Sequence, residues 1–100
     1  MENISREQLI HNLQQSFQPL TQEYNLDHIG VFEEEGQGNQ YYVGYTIKKD
    51  GKAYMVHQPY TKRENNTLSP MESKWTVESD RPNDVDINGY KRLEDALKEI

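Results

Sequence analysis

The chain has no cysteine in its 100 residues. That excludes a disulfide framework, a thiolate nucleophile and any metal site built on sulfur. Apolar residues are few: 33% of the chain, against roughly 45–50% in globular domains on a count that also takes in Gly. No run approaches the roughly 20 apolar residues of a transmembrane helix. The N-terminal stretch MENISREQLIHNLQQ lacks the continuous apolar region of a signal peptide. Positive charge is scarce as well. Eleven Lys and Arg stand against 17 Asp and Glu, a net of −6. An acidic domain repels the phosphate backbone, whose neutralisation supplies most nucleic-acid affinity. These absences predict a cytoplasmic protein with neither a membrane nor nucleic acid as a partner. The length allows a single domain, 1–100, and is too short for two.

What is present is aromatic. Seven tyrosines must supply much of a small core. A phenol ring buries a large area, but its hydroxyl needs a partner or water, so several tyrosines are expected at the core's edge. The strongest local signal is Tyr41 to Gln58, YYVGYTIKKDGKAYMVHQ, where two β-rich runs flank Asp50-Gly51. Asp-Gly between such runs marks a hairpin with a two-residue turn. That turn pairs Lys49 with Lys52, Ile47 with Tyr54 and Tyr45 with Val56. One hairpin face then carries Tyr41, Val43, Tyr45, Ile47, Tyr54 and Val56, and should cover the core. The lysines around the tip, Lys48, Lys49 and Lys52, keep the hairpin from pairing with other sheets.

Helices are expected at both ends. Over residues 5–18, Leu9, Ile10, Leu13 and Phe17 recur at helical spacing, Ser5 and Gln8 form a capping-box pattern, and Pro19 is expected to end the helix. At the other end Leu93, Ala96, Leu97 and Ile100 form a second stripe, with Glu94 facing Lys98 across one turn. Strands are predicted at 28–34, 41–48, 52–58 and 74–78, with Trp75 and Val77 inward, and loops at 59–72 and 79–89. The order α-β-β-β-β-α describes an α+β domain. Its antiparallel sheet of three to four strands carries both helices on one face.

Three groups of residues carry candidate chemistry. Asp84, Asp86 and Asn88, with Gly89 at the sixth position and Asp95 at the twelfth, match the spacing of a calcium loop. That stretch resembles the loops of EF-hand, dockerin and excalibur-like proteins. Position 12 is Asp rather than Glu, position 8 is Lys91, and no second loop is present to pair with it. His57 is a candidate general base for a hydrolase-like or small-ligand site. No nucleophile is tied to it by motif, and the plainer reading is a half-exposed strand histidine. Tyr42, Thr46 and Met55, with His57, form the second hairpin face. If both helices cover the other face, this one is open to a protein partner. No cofactor motif is present, and no catalytic set assembles, so the expectation is a non-enzymatic interaction module with an acidic surface.

The run from Tyr41 through Trp75-Thr76-Val77-Glu78-Ser79-Asp80, then Gly89-Tyr90-Lys91 and a short helix, resembles small uncharacterised cytosolic proteins of low-GC Gram-positive bacteria. Those are domains of unknown function, and the resemblance implies no activity. A sheet followed by a helix also resembles the arm-type DNA-binding domains of phage integrases. Those are basic, and the net charge here is −6.

Overall fold

The computed structural model describes residues 3–71, 74–79 and 87–100. The chain runs β1 (Ile4–Ser5), α1 (Arg6–Gln15), α2 (Phe17–Tyr24), β2 (His28–Glu35), β3 (Gln40–Lys49) and β4 (Lys52–Arg63). After a 3-10 turn at Glu64–Asn66 come β5 (Thr67–Pro70), β6 (Trp75–Ser79), β7 (Ile87–Tyr90) and α3 (Leu93–Leu97). All strand pairs are antiparallel, and the sheet order is β1-β5-β4-β3-β2, with β6 on β4 and β7 on β6.

The central hairpin is as the sequence predicts. Asp50 and Gly51 have φ of 53° and 78°, the double left-handed turn that Asp-Gly favours. The register is Lys49–Lys52, Ile47–Tyr54 and Tyr45–Val56. The Asp27 carboxylate braces the tip by accepting the Asp50 N–H at 2.9 Å.

The expected sheet of three to four strands is too small. Seven strands are found among the described residues. The reason is β4, which continues past the expected end of the hairpin to Arg63 and serves two partners on the edge away from β3. Its first half pairs with β6 and its second with β5, Tyr54–His57 and Tyr60–Arg63 respectively. Pro59 falls between these ladders, so its missing N–H breaks no strand pairing on that side. Its carbonyl oxygen accepts the Met71 N–H at 3.1 Å on the same side. The Asn65-Asn66 pair, both left-handed at φ 59° and 61°, makes the turn into β5, where a loop is expected from sequence.

The N-terminal helix is also corrected. Ser5 does cap α1, accepting the Gln8 N–H at 3.1 Å. Pro19, however, does not end a helix. It sits in the first turn of α2, where a residue without an N–H is tolerated.

The helices share one sheet face, as expected. Leu9, Leu13, Leu20, Ala96 and Leu97 join Val43, Tyr45, Ile47, Val56 and Val77 in one buried cluster. Phe17 packs edge-on to Tyr45, with ring centres 6.2 Å apart, and Trp75 stacks on the same ring at 6.4 Å. Tyr45 and Tyr60 are 3% and 8% exposed, so these two are core residues rather than edge residues. Glu94 and Asp95 lie 3.8 and 3.6 Å from the Arg92 guanidinium. No described helix is long and apolar enough to cross a membrane.

Candidate functional site

Side chains alternate across a strand, so the face opposite the core follows directly from the register. It forms four rows running across the sheet. The first is Glu34, Tyr42 and Pro59, and the second is Phe32, Gly44, His57 and Thr76. The third is Gly30, Thr46, Met55 and Glu78, and the fourth is His28, Lys48 and Ala53. Phe32, Tyr42 and Met55 take no part in the core cluster, whose helical members all lie on the other face.

Gly44 organises the second row. A Cβ at this position would lie 2.0 Å from the Val56 carbonyl oxygen and 2.6 Å from His57 Cα. No side chain fits there without parting β3 from β4. Above that gap Phe32, from one side, and His57, from the other, meet in a stack, with ring centres 5.1 Å apart and planes at 24°. Tyr42 closes on the same imidazole edge-on at 5.5 Å. His57 is consequently only 5% exposed, not half-exposed as the sequence suggests.

The polar contacts of His57 are incomplete. Its Nε2 lies 3.1 Å from Glu78 Oε1. A carboxylate only accepts, so a neutral ring places its proton on Nε2 and leaves a lone pair on Nδ1. That atom is buried, with no hydrogen-bond partner among the described residues. Leaving a buried acceptor unmet costs about 1–3 kcal/mol. Being shut off from solvent, Nδ1 is not placed to take a proton from a substrate at the surface. A shallow groove of about 450 Å³ on this face, lined by His28, Thr46, Lys48, Ala53 and Met55, does not include His57 in its walls.

The structure thus brings together Tyr42, Thr46, Met55 and His57. It adds Phe32 and Glu78, which the sequence does not single out, and gives Gly44, already on the predicted second hairpin face, a specific place in the row. One signal was available: the predicted hairpin register already sets Gly44 opposite His57. The register of β2 against β3, which places Phe32 beside both, has no such signal in the sequence.

Most of the calcium spacing lies outside the described residues. Asp84 and Asp86 lie outside them, as does the side chain of Asn88, whose backbone is in β7. Asp95 is in α3 beside Arg92. Among the described residues no group of three or more His, Asp or Glu side chains is close enough to hold a metal ion.

A second polar cluster lies at the far end of the sheet. Arg6 grips Glu33 with two hydrogen bonds of 2.6 and 2.8 Å, and the Tyr41 hydroxyl donates to the same carboxylate at 2.8 Å. Burial by itself would raise the Glu33 carboxyl, but the hydrogen bonds from Arg6 and Tyr41 and the Arg6 charge outweigh it and hold it below its ordinary value. The Arg6 guanidinium is raised in turn, chiefly by its hydrogen bond to Glu33. Beside it, Lys62 reaches Glu35 at 3.2 Å and lies 6.0 Å from the Tyr41 ring centre. A cavity of about 260 Å³ opens here, but Arg6 and Lys62 on its wall already have carboxylate partners. It is a brace between α1 and the sheet.

The family of unknown function DUF5634 matches residues 3–100. The chain belongs to this family. The match spans α1 through α3, so both the helical layer and the Phe32–Gly44–His57 row lie within the family domain. No curated protein matches the chain.

Proposed function

We propose that the chain is a cytoplasmic, non-enzymatic protein-interaction module. Its contact surface is the open sheet face presented by Tyr42, Thr46 and Met55, with His57 beneath them. One observation carries this reading: an aromatic stack is built outside the core, on the face away from the helices. Aromatic and methionine side chains with small neighbours are the composition of a contact surface.

The test is affinity capture with the wild-type chain and with a Tyr42→Ala, Met55→Ala double variant of confirmed fold. Partners retained by the wild type should be lost from the variant. An unchanged set of captured proteins removes this face from consideration.

A further inference from the structure

We infer that the free edge of β2 takes up an extended, basic segment of a partner protein as an added antiparallel strand. The edge is a different surface from the open face and does not depend on it.

The ends of the sheet are unequal. β1 is two residues long and β7 four, whereas β2 runs unbroken for eight and pairs only with β3. Gly36 donates to the Gln40 carbonyl at 3.0 Å in the same register. Alternation therefore turns the N–H and C=O of His28, Gly30, Phe32 and Glu34 towards β3. Those of Ile29, Val31, Glu33 and Glu35 point away from the sheet. No hydrogen bond from the described residues meets them. Short edges, prolines, lysines, bulges and inward charges are the usual guards against strand addition. β2 contains no proline or lysine and no bulge in its register with β3, and its inward charge, Glu33, is already gripped by Arg6.

The side chains agree with an unfilled edge. Ile29 and Val31 pack against the core cluster but stay partly exposed, while Val43 and Ile47 on β3 are 2% and 1% exposed. β3 has a strand on each side, and β2 on one only.

Charge sets the partner's chemistry. Glu33 is held by Arg6 and Glu35 by Lys62, but Glu34 is exposed and has no ion pair among the described residues. The chain as a whole carries −6, which steers cationic segments towards it. An added antiparallel strand therefore carries Lys or Arg opposite Glu34, and apolar residues opposite Phe32, Val31 and Ile29. Those opposite Val31 and Ile29 lie on the helix side and complete the cover of both. The one opposite Phe32 extends the ridge that Phe32 forms with His57. Strand addition of this kind draws affinity from main-chain hydrogen bonds and selectivity from alternate side chains.

The probe is the peptide Lys-Thr-Phe-Val-Ser-Ile, blocked at both ends, which sets its Lys opposite Glu34 and its Ile opposite Ile29. It is titrated into the isotope-labelled full chain to about 2 mM, and amide shifts and exchange rates are followed by NMR. The Ile29, Val31 and Glu33 amides should shift saturably and exchange more slowly, because they gain an acceptor. The Gly30, Phe32 and Glu34 amides, already bonded to β3, should change little. Val31→Pro removes the central outward N–H without breaking a bond to β3, and should abolish the effect in a chain whose fold circular dichroism confirms. Glu34→Lys, at an exposed site, should weaken the Lys peptide by about threefold or more and strengthen the same peptide with Glu in place of Lys. This charge reversal reads the pairing even if Val31→Pro fails to fold.

No saturable shift up to that concentration overturns the proposal. So do shifts that survive Val31→Pro, or affinities indifferent to the charge reversal. Shifts centred on Tyr42, Thr46 and Met55 put the peptide on the open face, which overturns the edge and leaves the reading of the face intact. Slow exchange of the outward amides in the free chain, growing with protein concentration, means that a second copy fills the edge, and overturns the partner strand.

Discussion

Glycine at position 44 is dictated by close approach rather than by backbone angles. Its φ is not left-handed, yet a single methyl group would strike the Val56 carbonyl. Gly44→Ala should therefore destabilise the fold by about 1–3 kcal/mol, the range for forcing extra atoms into a packed site. The urea midpoint of the variant measures this. A midpoint equal to that of wild type would show that β3 and β4 part freely. The same substitution would crowd the floor beneath Phe32 and His57, so loss of stability and loss of the ridge should appear together. This residue shows where sequence reading stops. The Gly-His apposition was implicit in the hairpin register, but the clash that makes glycine obligatory depends on how closely two backbones approach.

At the level of elements, legibility followed locality. The hairpin, its turn and its register were readable because Asp50-Gly51 and the alternation on either side specify them within a few residues. Ser5 as a cap and the α3 stripe were readable for the same reason. β1, β5 and β7 were not, being two to four residues long and defined by what lies beside them. Pro59 and the two asparagines after Arg63 read as loop, although one marks a handover between ladders and the others a tight turn. α3 is the element most dependent on tertiary contact. Five residues cannot sustain a helix alone, and Leu97 is fully buried. Leu97→Ala should cost about 2–5 kcal/mol and release α3 from β6. Trp75 fluorescence, monitored during denaturation, would register it. A variant with wild-type stability and emission would mean that α3 adds nothing to the fold.

For the molecule as a whole, charge sets both limits of the pH range. Glu33 is depressed in the folded state, so its contribution is present above the ordinary carboxyl value of 4.5 and is lost as pH falls below it. Tyr45 and Tyr60 behave in the opposite sense. Burial raises both above 10.0, so their contribution holds below that value and is lost as pH climbs past it. Thermal melting against pH should show a plateau between these limits. Glu33→Gln should start lower at neutral pH but fall less on the acid side, and Tyr45→Phe should fall less on the alkaline side. Parallel curves for variant and wild type would show that the titrating groups lie elsewhere.

The division of β4 has a consequence for how its two sides are coupled. β5 with β1 leans on one half of that strand, and β6 with β7 and α3 on the other, and the two sets flank the gap at Pro59, across which no strand pairing joins them among the described residues. The ladder of each set with β4 shares no residue pair with the ladder of the other. The two flanks thus hang on a common spine through separate ladders, and it is the shared core, with Leu68 of one flank and Val77, Ala96 and Leu97 of the other, that couples them.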